Sequence, residues 1–107
     1  MSHDIIGHNK AGEAIAHLRF TMNDVNSSLV YSLLESSDYY AGVSGTGDIV
    51  RFSQQQIEKA LENYNKDRIK YPGGKRFETW QRNEIQKFFK NCLETAKKEQ
   101  TVQIFFG

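Results

Sequence analysis

A chain of 107 residues, 38% hydrophobic and 25% charged, with seven Phe, five Tyr and one Trp, has room for one hydrophobic core and none for a second domain. Its aromatic content excludes a disordered chain, and its longest apolar runs, such as Ile104 to Phe106, are too short for a transmembrane helix or the apolar segment of a secretory signal. The net charge of +1 conceals an asymmetry, since residues 1–50 carry two basic against six acidic side chains and residues 51–107 carry twelve against seven, a difference that could orient the molecule toward a charged partner.

At the start, His3-Asp4-Ile5-Ile6-Gly7 is a short β-favouring run closed by glycine, and Asn9 to Gly12 is turn material. From Ala14 to Met22 the even positions Ala14, Ala16, Leu18, Phe20 and Met22 are apolar and most odd positions are polar, a period of two that predicts a strand hairpinned to the first. A helix is the alternative over the same residues, because Glu13, Ala14, Ala16 and Leu18 are reasonable helix formers. Asp24 and Asn26 are capping types, and Val25, Leu29, Val30, Leu33 and Leu34 recur at helical spacing, so a first helix is predicted over about 25–36. The glycine-rich stretch 39–48 then leads into a short strand at Ile49 to Phe52.

Ser53-Gln54-Gln55-Gln56 matches the capping box, in which a hydroxyl and a side-chain amide satisfy orphan amides, and Ile57, Ala60, Leu61 and Tyr64 line one face of a second helix. The only proline, in Tyr71-Pro72-Gly73-Gly74, separates it from a third helix that starts near Phe77 to Thr79 and ends by about Lys98. Thr101 to Phe106 is β-branched and aromatic and closes the chain as a strand. The order β-β-α-β-α-α-β predicts an α+β fold: a small sheet of about four strands with three helices on one face. Its core is expected from Leu29, Leu33, Ile57, Leu61, Trp80, Phe88, Phe89 and Leu93. The last strand carries neither charge nor proline to protect an edge, which favours a central place in the sheet; the alternative is an edge that recruits a second subunit or a partner strand.

Four features invite a chemical reading. His3, His8 and His17 with Asp4 are metal-ligand types, but positions 3 and 8 point to opposite faces of a continuous strand, so no metal site is expected. Cys92 falls among Phe88, Phe89 and Ala96 and reads as a small buried hydrophobe rather than a nucleophile. A single cysteine can form no internal disulfide, which fits a reducing compartment, and with an opening MSHDIIGHNK that reads as a native terminus the expectation is a cytoplasmic protein.

The loop Gly42-Val43-Ser44-Gly45-Thr46-Gly47-Asp48 is the third feature. Converging glycine amides, with hydroxyls from Ser44 and Thr46, could cradle an anion, yet the segment fits neither a dinucleotide fingerprint nor a Walker loop nor a nucleophile elbow. A tight turn into the strand, with Asp48 as acceptor, is the plainer reading, and contact with a ligand or partner the sharper one. The fourth is the run Lys66, Arg68, Lys70, Lys75 and Arg76, opposed by Asp67 alone, with Tyr71, Phe77 and Trp80 nearby: cations for phosphates and aromatic faces for stacking. A solvated helix end is the commoner meaning of such a run, and a nearly neutral chain is unusual for a nucleic-acid module.

His3-Asp4-Ile5-Ile6-Gly7-His8-Asn9, Gly12-Glu13, and Tyr40-Ala41-Gly42 through Gly45 and Gly47 resemble the first fifty or so residues of small proteins encoded by phages and prophages. That resemblance implies no catalytic residues; it implies a short accessory or inhibitory domain that works by binding. The function expected is therefore non-enzymatic protein binding through surface loops, with Gly42, Ser44, Gly45, Thr46, Gly47 and Asp48 as the contact loop. Nucleic-acid binding through Lys66, Arg68, Lys70, Tyr71, Lys75 and Arg76 is the alternative, and a small phosphorylated ligand on the glycine-rich loop a weaker one. The partner expected is a protein, with nucleic acid or a second copy of the chain as the other options; no cofactor, metal or membrane is called for.

Overall fold

A computed structural model describes residues 3–20, 25–41, 45–70 and 76–107, of which 25, 26, 28, 67–70 and 76–82 are described by their backbone. Four strands, β1 (His3–His8), β2 (Ala14–Phe20), β3 (Asp48–Ser53) and β4 (Thr101–Phe106), form one antiparallel sheet in the order β2-β1-β4-β3. Three helices, α1 (Val25–Leu33), α2 (Gln54–Lys70) and α3 (Arg76–Glu99), complete the α+β fold expected from the sequence. Among the described residues no helix is long and apolar enough to cross a membrane.

The period-two pattern of β2 resolves in favour of the strand. Ala16, Leu18 and Phe20 turn inward against the helices, and His17 and Arg19 turn outward. β1 alternates in step, burying His3, Ile5 and Gly7. Gly7 is where α3 comes closest to the sheet: a Cβ there would meet Cys92 Sγ at 2.9 Å, so a side chain would push the helix away. β4 pairs with β1 (Ile5↔Phe106, Gly7↔Ile104) and with β3 (Val50↔Ile104, Phe52↔Val102), which places the apolar C-terminal strand in the middle of the sheet. Its inner side chains Val102, Ile104 and Phe106 are fully buried, and no flat apolar edge is left at β4 for a second subunit.

The helix ends show which signals the chain uses. Ser53 and Gln56 form the reciprocal capping box, with Gln56 N–H donating to Ser53 Oγ at 3.2 Å and Ser53 N–H to Gln56 Oε1 at 2.8 Å. α1 stops at Leu33, three residues before its expected end. Glu35 adopts φ 53°, Ser36 N–H donates to Tyr31 O and Glu35 N–H to Ser32 O, the paired bonds of a Schellman motif built without glycine. A single turn of 3-10 helix, Ser37–Tyr39, follows where only an irregular loop was expected. A non-glycine residue of positive φ also follows α3, Gln100 with φ 73°, and the chain passes straight into β4.

Buried side chains form one cluster that includes Ile57, Phe88 and Phe89 as expected, but the expected core needs correction at four positions. Leu29, Leu33, Leu61 and Leu93 are only partly buried and pack at its margin, while Val30, Tyr31, Leu34, Ala60, Tyr64, Cys92 and Ala96 sit inside. α1 is rotated about its axis so that Tyr31 reaches His3, which moves Leu29 and Leu33 to the flank. The side chain of Trp80 lies outside the description. From this packing Ile57→Ala should cost about 2–5 kcal/mol and Leu61→Ala clearly less, read from urea denaturation midpoints. Deleting residues 101–107 removes the middle of the sheet and should abolish the cooperative unfolding transition; a folded deletion variant would contradict the strand order.

Candidate functional site

All three helices cover one face of the sheet, so the side chains of opposite parity stand on a face that no other described element covers. The pairing register places them in rows across the strands. His17 on β2, Ile6 on β1, Phe105 on β4 and Ile49 on β3 form one continuous row through His17↔Ile6, Ile6↔Phe105 and Ile49↔Phe105. Three of its four members are apolar, and Ile49 is 61% exposed. On one side runs the Asp4↔Arg19 pair, in which Asp4 Oδ1 lies 2.9 Å from His17 Nε2 and 3.5 Å from Arg19 Nε. On the other side run His8, Gln103 and Arg51, through His8↔Gln103 and Arg51↔Gln103.

Beyond that last row the face ends in a hollow of about 350 Å³ lined by Lys10, Arg51, Glu99, Gln100, Thr101 and Gln103. Its shape comes from two turns. The β1–β2 turn is tied to the end of α3 by the Lys10 N–H, which donates to Glu99 Oε1 at 2.9 Å, and the reversal at Gln100 sets Thr101 and Gln103 beside Arg51. The Glu99 carboxylate is thus engaged by the main chain. Among the described residues neither Lys10 nor Arg51 is in an ion pair, so the hollow holds two unpaired cations and the Glu99 carboxylate, an excess of positive charge beside neutral amide and hydroxyl groups.

The glycine-rich loop is spent on structure at its described end. Gly45 N–H donates to Gly107 O, Thr46 N–H to Tyr39 O and Gly47 N–H to Phe106 O, so these three amides face main-chain carbonyls and not an anion. Gly45 is also wedged against the C-terminal strand, where a Cβ would lie 2.5 Å from Phe106 O and 2.7 Å from Tyr31 Oη. Thr46 Oγ1 donates to Asp48 Oδ2 at 2.5 Å, the turn acceptor role read for Asp48. The amides of Gly45, Thr46 and Gly47 thus serve the plainer of the two readings, a turn into β3, since their donors are taken up within the chain. Gly42 and Ser44 lie outside the described residues.

Beneath that loop is a group the sequence did not reveal. His3 is buried, with Nε2 2.6 Å from Tyr31 Oη, its ring stacked on Tyr40 at 6.1 Å and edge-on to Phe20. Burial lowers the His3 pKa against the opposing pull of Asp4, and burial together with Tyr40 pushes Tyr31 up to about 12. A neutral imidazole accepting from a neutral phenol satisfies both polar groups inside an aromatic nest, the work of a core contact. His8 is on the opposite face of β1, as the odd spacing requires, and among the described residues no group of metal-ligand side chains comes together. Cys92 is fully buried, and desolvation pushes its thiol up to about 12, which leaves an unreactive small hydrophobe.

Of the basic-aromatic segment, Lys66 is exposed and pairs with Glu62 at 3.3 Å one helical turn back. The backbone of Arg68 and Lys70 continues α2 and that of Arg76 opens α3, their side chains lying outside the description; Tyr71 and Lys75 lie outside the described residues. Comparison with known proteins finds no matching family model, no similar curated protein and no similar solved structure.

The His3–Tyr31 contact makes a pH prediction. A folded-state pKa below the ordinary imidazole value means that the folded chain binds fewer protons than the unfolded one just below that value. The stability His3 confers is present in full above pH about 6.5 and lost as pH falls through the lowered folded-state pKa. The melting-temperature gap between wild type and His3→Gln should accordingly shrink from about pH 7.5 to about pH 5, and a gap independent of pH would refute the buried neutral histidine.

Proposed function

We propose that this chain is a protein-binding module whose contact surface is the open face of the four-stranded sheet. The observation that carries the reading is the row Ile6–Phe105–Ile49, which crosses three adjacent strands on a face that no element among the described residues covers. A lone exposed isoleucine is ordinary on a protein surface, but a contiguous apolar row framed by polar residues is the anatomy of an interface: a water-excluding centre and a polar rim. An accessory or inhibitory role of this kind, exerted by binding, also agrees with the resemblance to small phage-encoded proteins. The site thus moves from the loops, where the sequence pointed, to the sheet itself. Aliphatic Ile6 and Ile49 beside a single aromatic suit protein side chains better than stacked bases, which call for several aromatic platforms.

A photo-reactive amino acid placed at position 49, and as control at the exposed Lys97 on the helical side, tests the reading in the cells that make the protein. Irradiation should give a discrete protein adduct from position 49 and none from position 97. Adducts with nucleic acid, or the same adducts from both positions, would overturn it.

A further inference from the structure

We infer that the hollow at the end of the open face receives an acidic side chain of the docked protein, so that the partner is a segment presenting an apolar residue with an Asp or Glu close beside it. The inference rests on the reading of the sheet face as a protein-docking surface and adds the chemistry of what docks there. Charge placement carries it. On the far side of the apolar row, Arg19 is neutralised by Asp4; on the near side, Lys10 and Arg51 face the hollow with no carboxylate partner among the described residues. The one acid in the hollow, Glu99, holds the Lys10 main-chain amide and so helps to shape the site.

The neutral groups fit the same occupant. A guanidinium offers a carboxylate two parallel N–H donors, an ammonium adds a third direction, and the Thr101 hydroxyl and the Gln100 and Gln103 amides supply neutral donors around them. A phosphate-bearing polymer would need cations that track its backbone, whereas here the free positive charge is confined to one end of a face whose centre is apolar. Spacing is fixed by β4. Phe105 and Gln103 are two residues apart on one face, roughly 7 Å, so the carboxylate must follow the apolar anchor at i,i+2 in an extended segment or i,i+4 on a helix.

The test uses the full chain, immobilised, and a display library of random linear peptides. Recovered peptides should be enriched in Leu, Ile, Phe or Trp with Asp or Glu at the spacing above. Lys10 and Arg51 are exposed, so K10E and R51E should keep the wild-type melting temperature. Each should bind the recovered peptides roughly tenfold more weakly at about 50 mM salt, and R51E used as bait should shift selection toward Lys and Arg. Apolar peptides without acidic enrichment, lost on I49E but indifferent to R51E, would overturn the carboxylate site and leave the docking face standing. Peptides indifferent to I49E, or no enrichment together with I49E-sensitive capture of a single-stranded oligonucleotide, would overturn both.

Discussion

Pairing of Thr101–Phe106 with one strand from the start of the chain and one from its middle is the constraint on which the rest of the structure hangs. β4 joins the β1–β2 hairpin to β3, and it brings Phe106 opposite Ile5 on one side and Asp48 on the other. Such non-local ladders are made only after most of the loop-closure entropy has been spent, so they must be locked by contacts that nothing else in the chain supplies. The lock is at the terminus. Gly107 donates to Asp4 O and accepts from Gly45 N–H, while Phe106 O accepts from Gly47 N–H, binding three separate parts of the sequence around one strand end. The glycine-rich loop, which invited a ligand reading, is bound up in this lock.

The same constraint accounts for the polar group in the core. With β4 central and the loop folded over its end, the space between α1 and the sheet is closed by His3, Tyr31, Tyr40 and Phe106, with ring centroids of Tyr31 and Phe106 4.9 Å apart. An aromatic nest of this kind buries large areas and uses the His3–Tyr31 bond to fix the rotation of α1, since a polar pair tolerates less sliding than packed aliphatics. Histidine and tyrosine in proximity suggest proton chemistry in the abstract. Here both are held in their neutral forms by burial, and their mutual hydrogen bond satisfies the ring nitrogen and the phenol that face each other.

Legibility followed the length scale of the signal. β2 and α2 were readable because a period-two run and a capping box are local, and both act locally in the fold. The central place of β4 was readable from what it lacks, since an edge strand without charge or proline is rarely left open. The end of α1 was misplaced because Glu35 takes the left-handed conformation that glycine normally announces, and the 3-10 turn after it carries no composition signal. The four marginal leucines were overestimated because helical periodicity gives the width of a stripe but not its centre, which Tyr31 sets through a contact 28 residues away in sequence. The open face was invisible for a related reason. Its row is assembled from Ile6, Ile49 and Phe105, one residue from each of three strands, and only the register brings them side by side.

That row supports the proposed docking face because the fold does not need it. An antiparallel sheet with one solvated face ordinarily alternates apolar inward and polar outward, and β2 obeys that rule with His17 and Arg19. Strand preference alone would be met outward by Thr or Tyr, and cross-strand pairing of Ile6, Phe105 and Ile49 contributes only about 0.2–1 kcal/mol per pair. Against this stands the cost of an apolar row with Ile49 exposed and Ile6 and Phe105 half-buried, on a chain of near-zero net charge, where few like charges keep copies apart. The polar residues around the row are unevenly settled: the acid at one end is shared by Arg19 and His17, and the cations at the other end are in no ion pair among the described residues. A surface selected only for solubility would pair those charges with each other. A surface that keeps an apolar centre and an excess of positive charge at one end is complementary to something with the opposite arrangement, which is what supports the proposal that the sheet, more than either loop, is the contact surface.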